Sequence, residues 1–303
     1  RPMRIIPLVL ALVWGLNWPA VRIALDAVPP FTLRAAGLAC GALLLLAVAA
    51  GLGRSLRVAP GMVSRIVVAG ILNIAVFNLA TAFAQLNTST SRAAVLTFTM
   101  PVWTALFAWL LLDERLDRRK SVALAAGLAG IGLLAWPVFA GGSAGLGLVF
   151  PLIAATGWAA GTVFLKWRPI AGDRIVATGW QLAVGAGCAV VGLLVTGEQP
   201  AITRFDATVA SALTFHIVLS TAMAYLLWFR MLESTSASTS ALTTLMIPVV
   251  GVLGAMALIG DRPGFLDLLG FAAVLGAAAM ILLPGRPVPA AGLPRPHPDG
   301  APR

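Results

Sequence analysis

The 303-residue chain is 59% hydrophobic and 11% charged, with a mean hydropathy of +0.95. A soluble domain holds about a quarter charged residues, so this composition excludes an ordinary water-soluble fold and makes lipid the solvent. The formal charge of +10 is then a matter of membrane topology rather than of nucleic-acid binding, and the two cysteines, without CxxC or Cys/His spacing, give neither a disulfide framework nor a metal site.

Apolar runs of about twenty residues read as spans, because a helix must cross a ~30 Å hydrocarbon core. Ten are predicted, at 5–25, 31–51, 62–83, 90–112, 121–139, 146–166, 175–195, 207–229, 237–259 and 265–283. The joints are short and hold the Pro, Gly and charged residues of loops. The fold class is therefore an all-α polytopic membrane protein. With the N-terminus inside, sixteen basic residues fall on cytoplasmic segments, and five (Arg22, Arg34, Arg92, Arg204 and Arg262) on the other side. That bias predicts that both termini are cytoplasmic, in a plasma membrane such as the bacterial inner membrane.

The first span carries Trp14-Gly15-Leu16-Asn17-Trp18. It is long and has no small-residue cleavage site, so it reads as a permanent span rather than a signal. The third span carries Asn73, Phe77, Thr81 and Gln85 at four-residue intervals. Steps of four stay near one helical face, and a polar stripe in lipid would go unpaired, so these residues are expected to line a cavity. Asn78 lies off the stripe and reads as a packing hydrogen bond.

The fourth span opens a repeat. Laid without gaps on Thr235–Leu275, the stretch Thr88–Leu128 gives fourteen identities in 41 positions at an offset of 235 − 88 = 147. Ser91/Ser238, Thr97/Thr244, Pro101/Pro248 and Arg115/Arg262 are among them. The matched prolines are five spans apart, and an odd number of spans reverses a segment's direction through the bilayer. Two antiparallel five-span units with a site between them are a common plan for secondary transporters. A weaker match sets Trp14 through Arg22 on Trp158 through Lys166, an offset of 158 − 14 = 144. The units are thus 1–139 and 146–284, followed by a Pro-rich cytoplasmic tail, 285–303, expected to be disordered. Proline frees backbone carbonyls and bends a helix, so Pro101 and Pro248 are candidate hinges.

The eighth span carries His216, Ser220 and Tyr225. A membrane histidine is a candidate for the solute's path, and for proton coupling. Every Asp and Glu lies at a span end, in a loop or in the tail. Carriers coupled to protons or sodium commonly use a mid-span carboxylate, so facilitated transport or exchange is expected, with His216 the one exception. Trp18, Phe77, Phe98, Trp103, Trp158 and Tyr225 gather in depth with Asn17, Asn73, Thr97 and Thr244. Rings offer apolar walls and polar tips fix orientation, which suits a neutral or zwitterionic solute with a bulky apolar part. The cavity is expected to be lined by spans 1, 3, 4, 6, 8 and 9. An enzyme would need a nucleophile and base, or metal ligands, at bilayer depth; His216 has no such cluster around it.

Trp-Gly-x-Asn in the first span, then Ser91-x-Ala93-Ala94-x-Leu96, Met100-Pro101-Val102 and Leu110-Leu-Leu-Asp-Glu-Arg-Leu116, resemble the drug/metabolite transporter superfamily, in particular its ten-span EamA-type exporters. The resemblance covers the chain except its tail, and departs at Asp261 and Pro263 in the second half, where the family usually has Glu at the acidic position. It implies export or exchange of a small metabolite without a nucleotide cofactor, and the chain resembles the amino-acid exporters of the family, those for aromatic side chains included. A drug, nucleoside or sugar exporter, or a channel-like facilitator, is the alternative. Ten spans enclosing their own cavity are compatible with a functional monomer whose partners are solute and bilayer.

Overall fold

The computed structural model of the chain describes residues 6–114, 117–140, 145–224, 227 and 237–282, with the backbone alone at 7, 137–140, 237–245 and 281–282. Among these residues the structure is helical and has no strand. In chain order the helices are α1 (Ile6–Leu25), α2 (Pro30–Gly51), α3 (Val63–Asn87), α4 (Thr90–Leu112), α5 (Arg118–Ala140), α6 (Leu146–Trp167), α7 (Arg174–Thr196), α8 (Ala207–Met223), α9 (Ala237–Ile259) and α10 (Phe265–Leu282). The first seven are long and apolar enough to cross a membrane; α8 to α10 supply the shorter apolar stretches Ala207–Met223, Met246–Ile259 and Phe265–Met280. Leu43, Leu111, Val191 and Leu194 face outward, as side chains against lipid must. The expected tail, 285–303, lies outside the described residues.

Helix ends are set by groups that satisfy the free N–H donors of a first turn. Asp173 accepts from the backbone N–H groups of Ile175 and Val176 to start α7, and Asp206 accepts from that of Val209 to start α8. Ser89 starts α4 by accepting from Arg92 N–H at 3.3 Å. The start of α2 combines a preset proline with a distant acceptor: Glu198, beyond the end of α7, accepts from Phe31 N–H (3.2 Å), Thr32 N–H (2.6 Å) and Thr32 Oγ1 (2.8 Å).

α2 packs along α7, α5 along α10, α1 along α9 and α4 along α6. α3 lies against α6 and α7, and α8 against α1 and α2. Replacing each helix by the one five places on maps these neighbours onto themselves: α1–α9 becomes α6–α4, and α3–α7 becomes α8–α2. The inverted five-helix repeat is thus present in the packing. It extends to single residues, since α4 and α9 both end in left-handed caps at matched positions, Asp113 (φ 53°) and Gly260 (φ 70°). Beyond each cap the next N–H reaches back to a matched carbonyl, Glu114 to Ala108 at 3.3 Å and Asp261 to Ala255 at 3.2 Å.

The two prolines do not behave alike. α4 is interrupted: one segment ends at Thr97, Phe98 and Thr99 form a turn, and Pro101 sits in the first turn of the next segment, Met100–Leu112. Pro248 lies within one helix, Ala237–Ile259. The local difference is Thr99, whose counterpart is Met246. The Thr99 hydroxyl donates to Leu96 O at 2.7 Å and accepts from Trp103 Nε1 at 3.1 Å. A threonine that bonds nearby backbone offers an alternative to the helical ladder, and methionine has no such group. The expectation of a matched pair of interruptions is corrected to one break and one continuous helix.

α3 and α8 each widen into π-helical turns at corresponding depths, Gly70–Val76 and Phe215–Met223. A π turn closes on the fifth residue rather than the fourth, so it shifts the faces on either side relative to a regular helix.

Candidate functional site

A cavity of about 260 Å³ opens half-way along the helices, close to the lower end of ligand-pocket sizes (~300 Å³). Its lining is of mixed character. The apolar members belong to one packed cluster: Trp14 and Trp18 from α1, Phe77 from α3, Phe98 and Met100 beside the α4 break, Trp158 from α6 and Ile247 from α9. Phe77 and Trp158 meet ring to ring, centroids 4.8 Å apart. The break in α4 exposes Phe98 and Met100, and α9 presents Ile247, the counterpart of Met100, just before its own proline.

The polar members are Asn17 from α1, Arg34 from α2, Asn78, Thr81 and Gln85 from α3, and His216, Ser220 and Thr221 from α8. The π turns of α8 hold His216, whose Nδ1 lies 2.8 Å from Asn17 Oδ1 and whose Nε2 lies 3.4 Å from Arg34 Nη1. A ring with its proton on Nδ1 satisfies both neighbours, donating to Asn17 and accepting from Arg34. Arg34 Nη2 also donates to Thr81 Oγ1 at 3.3 Å. Gly37 makes this approach possible, since a Cβ there would lie 3.1 Å from His216 Nε2. Trp14 is fixed by donation from Nε1 to Ser220 O at 3.1 Å.

Of the residues expected here, Asn17, Trp18, Phe77, Thr81, Phe98, Trp158, His216 and Ser220 line the cavity. Gln85, the last residue of the stripe, does so too. Trp103 packs against the apolar cluster and is not part of the cavity lining. Asn73 is also outside: it is buried against α6 at Gly161, where a Cβ would come within 2.0 Å of its Oδ1. The cause is the π turn between Asn73 and Phe77, which breaks the four-residue rule that aligned them. The same shift brings Asn78 into the wall, although its Nδ2 also donates to Ile74 O at 2.9 Å as a packing bond would. Pro101 is buried at the head of the second α4 segment, and Pro248 is buried within α9. Tyr225 and the side chain of Thr244 lie outside the described residues.

Arg34, which the sequence reading uses only in the charge balance across the membrane, belongs to the cavity. Its side chain is 3% exposed and faces the cavity, which makes α2 a wall helix. A signal was present, because a charged residue inside a span is a functional candidate by default. Arg34, Leu38 and Leu45 also share a helical face with Gly37 and Gly41, small residues that mark close packing.

Among the described residues, seven helices long and apolar enough to cross a bilayer and three with shorter apolar stretches surround a half-way cavity of mixed polarity, which makes a polytopic membrane protein of the transporter class. The chain belongs to the EamA-like transporter family, whose model matches residues 4–136 and 145–283. It is 29% identical over 247 residues to the "Uncharacterized transporter YvbV" of Bacillus subtilis, covering 80% of this chain and 79% of that one. It is 26% identical over 292 residues to the "Uncharacterized inner membrane transporter YedA" of Escherichia coli K12, covering 92% of each. A solved crystal structure superposes with a TM-score of 0.64 over 96% of this chain and 99% of its own, at 21% identity, which speaks for the fold alone.

Proposed function

We propose that this transporter exports or exchanges small metabolites, bulky neutral amino acids first among them, by alternating access without ATP. The carrying observation is the mixed lining of the cavity, in which the rings of Trp14, Trp18, Phe77 and Trp158 share one space with Asn17, Thr81, His216 and Ser220. Rings would hold the solute's body and the polar groups its head. The moving units are the halves 1–139 and 146–284, and the bend in the first is at the α4 break beside Pro101. Both termini face the cytoplasm, in keeping with the sixteen-to-five division of basic residues, and the membrane is the bacterial inner one. The hydrogen bonds at both ring nitrogens of His216 favour exchange that is indifferent to a proton gradient.

Counterflow in proteoliposomes loaded in turn with aromatic, aliphatic and hydroxyl amino acids tests the reading, with and without a proton gradient. Saturable exchange that ignores the gradient is the expected result. Gradient-driven flux would make His216 a coupling residue, and non-saturable leak would make the protein a channel-like facilitator. Exchange of drugs, nucleosides or sugars but of no amino acid would overturn the substrate assignment.

A further inference from the structure

The cavity contains a charge without a counter-charge among the described residues. Arg34 is 3% exposed, yet it has no ion pair among them, and its Nε has no hydrogen-bond partner among them. Its two contacts are long ones to neutral groups, 3.4 Å to His216 Nε2 and 3.3 Å to Thr81 Oγ1. No described residue lining the cavity is Asp or Glu.

Most carboxylates of the described residues are held elsewhere; Asp117 accepts from Lys120 N–H, and Asp113 sits in the left-handed cap that ends α4. Asp26 pairs with Arg22, Asp173 with Arg54, Glu114 with Lys166 and Lys120, Asp206 with Arg204, and Asp267 with Arg92. Glu198 is held by the start of α2, and Asp261 accepts from Ser91 N–H. A buried guanidinium without an anion is costly, and its planar donors match a carboxylate in two-pronged fashion. The open Nε edge therefore suits an anion brought in from outside.

We infer that Arg34 is the anchor for a carboxylate group of the transported solute, so that the substrate class is a carboxylate on a bulky apolar body. This rests on the cavity being the solute's path, as proposed above, and it narrows what travels there. The head group docks on Arg34, and the rings of Trp18, Phe77 and Trp158 receive the body. Because the described cavity lining offers no carboxylate to an ammonium group, an α-amino group is not required. A deaminated acid is a substrate on the same terms as the amino acid.

The test is counterflow of the full chain in proteoliposomes with three solutes that share one ring: phenylalanine, phenylalaninamide and 3-phenylpropanoate. Both carboxylates exchange and the amide is at least roughly tenfold slower, a difference of ~1.4 kcal/mol. Arg34→Gln abolishes exchange of both acids, and Arg34→Lys retains part of it. Amide exchange at the phenylalanine rate, or acid exchange undiminished in Arg34→Gln, overturns the inference and leaves the amino-acid reading standing. Arg34-dependent exchange of 3-phenylpropanoate without exchange of phenylalanine upholds the inference and removes the amino-acid reading. Quenching of the cavity tryptophans in detergent gives a second readout on the wild-type chain, should Arg34→Gln fail to insert. Quenching by the carboxylates alone upholds the anchor; no quenching by either carboxylate overturns it.

Discussion

The backbone N–H of Ser91 donates to Asp261 Oδ2 at 2.8 Å, joining the head of α4 to the residue just past the end of α9. Asp261 stands in the second copy of the repeat where Glu114 stands in the first, so an acidic residue just after α9 in one half caps the start of α4, the matched helix of the other. Nearby, Arg92 Nη2 meets Asp267 Oδ1 at 2.6 Å with both side chains mostly buried, tying α4 to α10.

Loss of the Asp261 carboxylate therefore loosens the junction of the halves. Asp261→Ala is expected to lower stability by about 1 kcal/mol, the usual cost of an N-terminal cap. Thermal unfolding in detergent measures it, and an unchanged midpoint would mean that α4 is held without this bond.

Gly161 and Asn73 form a size-matched pair. Gly161→Ala puts a methyl group within 2.0 Å of Asn73 Oδ1, inside a helix contact that cannot simply part. Overpacking of this kind costs about 1–3 kcal/mol. Asn73→Ala in the same chain removes the obstacle, so the double variant should recover most of the loss. Equal instability of single and double variants would show that α3 and α6 do not meet there.

Trp158→Ala removes a ring from the apolar lining and the partner of Phe77 at 4.8 Å. The half-saturation concentration for exchange is expected to rise roughly tenfold, equivalent to ~1.4 kcal/mol, with insertion and yield unchanged. A lower maximal rate at constant half-saturation would instead assign Trp158 to the conformational step.

The fold was legible because lipid leaves few options: runs of about twenty apolar residues are spans, and the Pro101/Pro248 register with its odd number of spans is an inverted pair. The cavity was legible where a regular helix carried the argument, as for Thr81 and Gln85, and where the residue type was rare in lipid, as for His216. It was illegible where the backbone departs from regularity. No local signal in Gly70–Val76 announces a π turn, so Asn73 was aligned with a face it does not share. Thr99 against Met246 decides between a broken and a continuous helix, a distinction that the matching prolines conceal. Arg34 was obscured by position: four residues into a span, it counts equally as a loop charge until the packing of α2 against α8 is known.

At the opposite end of α4, the hydrogen bond from the Lys166 ammonium holds Glu114 below the ordinary carboxylate range, against a smaller upward push from burial, and Lys120 adds to the lowering. A lowered folded-state value means stabilisation that is fully present above the ordinary carboxylate range and lost as pH falls through the lowered value. The wild type should therefore be the more stable at neutral pH, with the gap to Glu114→Gln closing under acid. The gap should be small and shrink with salt, because the Lys166 side chain is 61% exposed. Thermal melts of both proteins from neutral to acid pH check the sign; a gap that widens in acid contradicts it.

The cavity as the solute's path is tested most directly at Ser220, which lines it. In a chain with Cys40 and Cys188 replaced, Ser220→Cys is treated with a small charged thiol reagent during counterflow in proteoliposomes. Modification is predicted to stop exchange, and saturating solute to protect the cysteine. A fully modified Cys at this position with exchange intact would mean that the solute crosses elsewhere.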